Sequence, residues 1–338
     1  MRIVPGEGTD QPADPAVAVD AVRNWYHTIE LAPGVVTPGA FDLRPVVARL
    51  PWPDVRGKRC LDVGTYDGFL AFELERRGAA EVVAIDISDH EQWDWELHLR
   101  ALGPEYLRQV VGPEHGAGFD VARALLGFGT RREELSVYEL HPDVLGSFDV
   151  VVCGSLLLHL RDPLRALSAI RSVCRDWFML TNQVEPALSL MHPRRAIVRL
   201  DGTSGMTQWW LPNRVGNRQM LLAAGFEIVR ETGLYAVPFG PGHQAARPSL
   251  RQRARSLARR IVSGGDGVPH HAVLARPRAL GLENRASVAD AALGEREQPQ
   301  GVGREVGRGN VCARRAATPA PPAVPAQREQ VRPGGGKR

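Results

Sequence analysis

Apolar residues along this chain fall into two alternating rhythms. Short, nearly continuous apolar runs bounded by polar or glycine-bearing turns predict strands at 59–64 (RCLDVG), 81–87 (EVVAIDI), 135–140 (LSVYEL), 148–154 (FDVVVCG) and 177–183 (WFMLTNQ). Two further runs, 226–237 (FEIVRETGLYAV) and 270–277 (HHAVLARP), complete the set. Between them, apolar positions recur at helical spacing over 67–77, 91–102, 118–127, 163–174 and 213–224. The fourth of these helices opens on Asp162 as an N-cap and Pro163 in its first turn, and Gly225 closes the fifth.

Strands that alternate with helices imply an α/β fold, a parallel sheet with helices on both faces. The last two strands have no clear helix between them, which points to a closing antiparallel pair. Residues 16–58 precede the first strand as an N-terminal extension or cap. Residues 184–212 form an insertion long enough to serve as a lid or acceptor-binding loop. Residues 1–15 and the stretch from 279 to 338 lack sustained periodicity and are rich in polar, Gly and Pro residues, a composition expected of disorder.

Composition narrows the classes of function. The four cysteines (60, 153, 174 and 312) form no Cys-x-x-Cys pair, which argues against a zinc site or disulfide framework and fits a reducing cytoplasm. No metal is expected. No run approaches the roughly 18 apolar residues of a membrane span, and the chain starts without the basic, then apolar, pattern of a secretion signal. Lys58 and Lys337 are the only lysines, so Schiff-base chemistry is disfavoured. Of the net charge of +4, all comes from residues 279–338, with ten basic and six acidic side chains; the rest is neutral.

The candidate chemistry centres on CLDVGTYDGFLAFELERRG (60–78). Asp62 ends the apolar run, and Gly64 and Gly68 allow close backbone approach in the loop that follows. Asp86 ends the second strand, where a carboxylate can accept both hydroxyls of a ribose. In a doubly wound sheet such a crevice holds a nucleoside outside the carboxyl ends of the strands. A glycine in such a loop can equally serve only as a turn, and a strand-end aspartate only as a helix cap. The spacing misses the dinucleotide pattern G-x-G-x-x-G. It resembles instead motif I of class I S-adenosylmethionine methyltransferases, hhDhGxxxG, with VVAIDIS resembling the ribose-binding motif; Tyr66 replaces the usual middle glycine. That resemblance implies a Rossmann-like sheet over 59–278, mostly parallel with an antiparallel last strand, and S-adenosylmethionine as cofactor.

Longer segments carry a second resemblance. NWYHTIELAPGVVTPGAFD (24–42), LPWPDVRGKRCLDVGTYDGF (50–69), HLRDPLRAL (159–167) and WWLPNRVGNRQMLLAAGF (209–226) are similar to the tRNA wobble-uridine (mo5U34/cmo5U34) methyltransferase-like family. The similarity covers about 24–277. It implies cofactor contacts from Asp62, Gly64, Gly68, Asp86 and Ile87, from Tyr138 and Glu139 near the adenine, and from Gly154 and Leu158 beside the transferred group. Carboxymethylating members hold the extra carboxylate of carboxy-S-adenosylmethionine with basic side chains. The matched positions here are His27, His271 and Arg44. Histidines in place of a lysine and an arginine make weaker carboxylate partners, so ordinary S-adenosylmethionine is expected rather than the carboxylated form.

A hydroxyl acceptor benefits from a base; His159 and His27 are the catalytic candidates, with His271 next, although each could serve in packing instead. Trp209 and Trp210 in the insertion could stack an acceptor ring or simply pack, and Trp93 and Trp95 are assigned to packing. Six arginines at 247, 251, 253, 255, 259 and 260 could grip RNA phosphates or form a solvated face. The sequence thus leaves an O-methyltransferase for a small-molecule acceptor, a tRNA wobble-uridine (carboxy)methyltransferase, and a non-catalytic S-adenosylmethionine-binding module.

Overall fold

The computed structural model describes residues 14–111, 116–203, 207–243 and 263–279. The arginine cluster at 247–260, the tail from 280 onward and the first thirteen residues lie outside them. Asp14 accepts from the Ala16 N–H and Pro15 opens helix α1 (Pro15–Ala21), so the expected disorder of 1–15 does not extend to residues 14 and 15.

A hairpin follows, β1 (Glu30–Ala32) and β2 (Val35–Val36), and then the sheet begins. In chain order come β3 (Arg59–Val63), α2 (Phe69–Arg76), β4 (Glu81–Asp86), α3 (Leu97–Arg100), α4 (Pro104–Val111), α5 (Ala117–Leu126), β5 (Arg131–Glu134), α6 (Pro142–Leu145) and β6 (Phe148–Gly154). They are followed by α7 (Pro163–Val173), β7 (Cys174–Gln183), α8 (Pro186–Met191), β8 (Val198–Leu200), β9 (Trp210–Pro212), α9 (Arg214–Ala223), β10 (Phe226–Glu231), β11 (Tyr235–Val237) and β12 (Val268–Pro277).

The main sheet runs in the order β10-β12-β7-β6-β3-β4-β5, with β11 also paired to β12. Strands β3 to β7 are mutually parallel, and β12 is antiparallel to β7, β10 and β11. This is the expected Rossmann-like arrangement. Because successive side chains point to opposite faces, each strand feeds two cores. Cys60, Val82, Ala84, Val150 and Val152 pack with Phe69 and Phe72 of α2 and Phe119 of α5. Leu61, Val63, Val83, Val151 and Cys153 pack on the other face with Ile170 of α7 and Leu221 of α9. Both faces are covered, so the strands read as continuous apolar runs rather than as an alternation. Strand order reverses between β3 and β6, and the crevice at that switch point is where a ligand belongs.

Two expectations fail. The third strand is not 135–140 but β5, four residues earlier, with the sequence RREE. Among the described residues it is an edge strand paired only to β4, where charged side chains are common and no apolar rhythm marks the element. Residues 137–139 form instead a short 3-10 turn capped by Ser136. The helix expected over 91–102 is broken as well: a 3-10 turn at His90–Gln92 precedes α3, and the Trp95 indole N–H donates to the His90 carbonyl between them.

The insertion folds around one side chain. Asn213 caps α9 by accepting from the Gly216 N–H and also accepts from the Ile197 N–H. Its amide N–H group donates to the carbonyls of His192 and Arg195. The β8–β9 hairpin is thereby tied to α8 and α9, and the Trp209 N–H donates to the Leu158 carbonyl beyond the end of β6.

Candidate active site

The loop between β3 and α2 turns on three residues in the left-handed region: Gly64 at φ 75°, Tyr66 at φ 50° and Gly68 at φ 89°. Tyr66 occupies the place of the missing middle glycine and still adopts the conformation a glycine would. The strain, about 1–2 kcal/mol for a residue with a Cβ, is held by Asp86: its Oδ2 accepts from the Tyr66 N–H at 2.6 Å and its Oδ1 from the Ile87 N–H at 2.8 Å. The loop also grips the N-terminal extension. Asp67 Oδ2 accepts from the N–H groups of Tyr26 at 2.6 Å and His27 at 2.8 Å. Burial pushes the Asp67 carboxyl up to about 7, with these two bonds opposing.

Above this loop lies a cavity of about 350 Å³. Of the residues named from the sequence as cofactor contacts, Gly64, Asp86, Ile87, Tyr138 and Gly154 line it, together with Tyr66 and Trp93. Tyr138 is fixed there because its hydroxyl donates to Asp94 Oδ2 at 2.6 Å and accepts from the Asp162 N–H. A Cβ on Gly64 would meet the Leu156 side chain at 3.0 Å, and the φ of 75° itself favours glycine there. Four expected contacts are absent from this lining: Asp62 and Leu158 border the second cavity described below, and Gly68 and Glu139 lie elsewhere. Gly68 is instead the N-cap of α2, where a Cβ would sit 2.5 Å from the Phe72 ring. Glu139 is exposed on the outer side of its 3-10 turn, while its neighbours Ser136, Val137 and Tyr138 face the cavity. Trp93, assigned from the sequence to packing, lines the cavity while stacking on buried Trp95.

A second cavity of about 220 Å³ adjoins the first. Phe41, Leu43, Val46, Leu158 and Val237 make it largely apolar, and Thr181 and Tyr235 bond to each other across it at 2.6 Å. Asp62 borders this cavity rather than the first. Its Oδ2 accepts from the Ala71 N–H at 3.1 Å, inside the first turn of α2, and its buried Oδ1 makes no well-formed hydrogen bond. Burial pushes this carboxyl up to about 7, the Thr65 hydroxyl working the other way. The two cavities share a wall made by Tyr26, His27, Gly64, Gly154, Ser155 and His159.

The candidate bases separate here. His159 Nδ1 lies 2.8 Å from the Thr207 carbonyl oxygen, which can only accept, so Nδ1 carries the proton and Nε2 is the bare nitrogen of the neutral ring. Burial lowers its pKa. His27 also faces both cavities, but burial drives its pKa down to about 3 and holds it neutral. His271 is not at the site. It is fully buried behind β12, its Nδ1 3.1 Å from Asn217 Nδ2 and its Nε2 3.3 Å from Glu231 Oε2. The pleat sends adjacent residues to opposite faces, and the histidine that enters the second cavity is His270.

The remaining acceptor candidates are corrected similarly. Arg44 pairs in bidentate fashion with Asp42 and lines neither cavity; its neighbour Leu43 does. Trp209 and Trp210 also stay outside both linings, their indole N–H groups donating to the Asp94 and Arg161 carbonyls. The insertion contributes Thr207 and Gln208 instead. Asp67, Ser155 and His270 carried no signal in the sequence, since each becomes meaningful only beside a residue 25 or more positions away. Among the described residues no cluster of His, Cys, Asp or Glu suited to a metal occurs, and no helix is long and apolar enough to cross a membrane.

Comparison with known proteins bears on the same region. The family model for a methyltransferase domain matches residues 41–231. The ubiquinone biosynthesis O-methyltransferase of Neisseria meningitidis serogroup C (strain 053442) is 33% identical over 122 residues, 36% of this chain and 42% of that protein. The ribosomal protein L11 methyltransferase of Bordetella parapertussis (strain 12822) is 40% identical over 90 residues, 26% of this chain and 29% of that protein. The match thus spans less than half the length of either relative. Among solved structures, the 1,6-didemethyltoxoflavin-N1-methyltransferase of Burkholderia thailandensis, with bound 1,6-didemethyltoxoflavin and S-adenosylhomocysteine, aligns over 70% of this chain and 78% of that one at 17% identity, with a TM-score of 0.42. With more than half of its residues matched by the family model, from the N-terminal extension through β10, the chain belongs to the methyltransferase-domain family of S-adenosylmethionine-dependent enzymes.

Proposed function

We propose that this chain transfers a methyl group from S-adenosylmethionine to a hydroxyl of a small, largely apolar acceptor. The observation that carries the reading is the shared wall: a nucleoside-sized crevice at the strand switch point meets an apolar chamber across Gly64, Gly154, Ser155 and His159. In-line methyl transfer asks chiefly for alignment of two ligands from opposite sides, and two chambers with one wall supply that.

The residues present fit the cofactor. Gly64, at a φ of 75°, turns the loop around the first cavity. Asp86 sits where ribose hydroxyls would be held, and each of its oxygens keeps a lone pair after bonding one backbone N–H. Asp62, a carboxyl bordering the second cavity two residues before Gly64, suits the ammonium of the amino-acid end. The bound cofactor supplies a methyl group on a sulfonium, already activated for displacement. His159, its tautomer set by Thr207, offers Nε2 to take the proton of the acceptor hydroxyl. The apolar walls exclude water.

Neither lining contains an arginine or lysine among the described residues. This supports ordinary S-adenosylmethionine over its carboxylated form, because of the three matched basic positions only His27 faces the site and it is neutral. The tRNA wobble-uridine reading rests on sequence resemblance and on the arginine cluster outside the described residues. Similarity to a ubiquinone biosynthesis O-methyltransferase supports a small-molecule hydroxyl instead. The test is to incubate the full chain with methyl-labelled S-adenosylmethionine and either total tRNA or a metabolite extract. Label in the small-molecule fraction is expected; label in tRNA alone would overturn the acceptor class, and label in neither would favour a non-catalytic binding module.

A further inference from the structure

Beside the shared wall sits a pair that the chemistry above does not use. Ser155 Oγ lies 2.7 Å from His270 Nε2, and His270 Nδ1 lies 2.8 Å from the Val268 carbonyl oxygen. A carbonyl only accepts, so Nδ1 holds the ring proton and Nε2 is bare. The Ser155 hydroxyl proton is therefore committed to Nε2, and what Oγ still offers is lone pairs. Ser155 lines both cavities, whereas His270 lines the second. Burial keeps the imidazole neutral, lowering its pKa to about 4.

The backbone underlines the arrangement. Ser155 sits at φ 52°, in the left-handed region that disfavours a residue with a side chain. The Ser155 N–H donates to the Thr181 carbonyl at 2.7 Å, which locks that conformation. Strain of this kind persists where neighbouring structure imposes it, and it clusters at ligand sites. Around the pair, Thr181 and Tyr235 satisfy each other. Asp62 turns one oxygen into α2. The described lining carries no cation.

We propose that Ser155, oriented by His270, anchors the acceptor: its Oγ accepts a hydrogen bond from the O–H of an uncharged, phenol-like molecule in the second cavity. Ser155 is the contact and His270 a positioning residue. The anchor selects a donor, since an ether or ketone at that place would leave Oγ lone pairs facing oxygen lone pairs. That contact belongs to the bound complex; for methyl transfer the single O–H proton swings from Ser155 Oγ to His159 Nε2, and both side chains line the shared wall. This inference rests on the methyl-transfer reading for its biological meaning, but its test is a binding measurement.

The probes are phenol and anisole, which differ in having or lacking the O–H donor. Each is titrated into the full chain saturated with S-adenosylhomocysteine and followed by ligand-observed NMR. The parent should bind phenol roughly tenfold more tightly than anisole, the effect of one buried hydrogen bond. Ser155→Ala should bring the two within about twofold. Ser155→Gly should do the same, and a glycine suits the left-handed backbone, so that variant guards against a folding defect. His270→Phe should reduce the preference while leaving the Ser155 hydroxyl in place. Retention of the tenfold preference in both Ser155 variants, or its absence in the parent, overturns the anchor. A parent that fails to bind S-adenosylhomocysteine would instead remove the methyl-transfer reading, so the two failures are distinguishable.

Discussion

The Asp86 carboxylate holds the backbone N–H of Tyr66 at 2.6 Å, across 20 residues of sequence. One acidic side chain at the tip of β4 thus fixes a left-handed tyrosine in the loop after β3 and at the same time lines the first cavity. The proposed cofactor site and the loop geometry are one unit.

That coupling separates conformational strain from packing at position 66. The Tyr66 ring packs on Tyr26 with centroids 4.9 Å apart, so both Tyr66→Ala and Tyr66→Gly lose that contact. Only glycine relieves the positive φ. Urea unfolding should find Tyr66→Gly more stable than Tyr66→Ala by about 1 kcal/mol; equal midpoints would mean that the loop is not left-handed in solution.

Replacement of Asp86 by asparagine puts an N–H group against either the Tyr66 or the Ile87 amide, both of which donate to the carboxylate now. Binding of S-adenosylhomocysteine by calorimetry should weaken at least tenfold, on the order of 1.4 kcal/mol or more. An unchanged affinity would remove Asp86 from the cofactor site.

Protonation of Asp67 has a signed consequence for stability. Its carboxyl is raised from 3.8 to about 7 by burial, so between those values the folded chain keeps a proton that the unfolded chain has released. That contribution is fully present below pH 3.8 and is lost as pH rises through about 7. Buried His27 acts oppositely: its pKa falls from 6.5 to about 3, so its contribution is present above 6.5 and is lost on acidification. Asp67→Asn keeps an acceptor for the Tyr26 and His27 amides and deletes the titration. Its unfolding free energy should drop more steeply than the parent's from pH 7 to pH 5, by up to about 1.4 kcal/mol per pH unit. Parallel pH profiles would contradict the raised carboxyl.

His159 is tested by kinetics. In His159→Gln an amide replaces the ring and no proton can be taken up at Nε2. With any acceptor that supports turnover, kcat should fall roughly a hundredfold or more, while cofactor affinity stays within about twofold. A loss confined to cofactor binding would assign His159 to the crevice alone.

Discrimination between the two sulfonium ligands follows from the absence of cations in both described linings. S-adenosylmethionine should bind more tightly than carboxy-S-adenosylmethionine in direct titration, because the added carboxylate meets neutral His27 and the carboxyls of Asp62 and Asp86 rather than an arginine. Preference for the carboxylated ligand would reverse the cofactor assignment.

What the sequence alone determined is what is encoded by neighbours along the chain. The apolar runs of β3, β4, β6 and β7 announce buried parallel strands. Gly64 and Asp86 stand at strand ends where the connection itself brings them to the first cavity, and Asp62 at the end of β3 borders the second. Tertiary structure decided everything that depends on which distant residue lies opposite. Edge strand β5 has no apolar rhythm because one side of it meets no further strand. His270 enters the second cavity and His271 the core through the register of β12 on β7, where a one-residue shift would exchange them. That cavity gathers Phe41, Leu158, Thr181, Tyr235 and His270 from segments that are far apart in sequence. No local pattern can encode such a chamber, because its chemistry exists only once the sheet has closed and the insertion has packed against it.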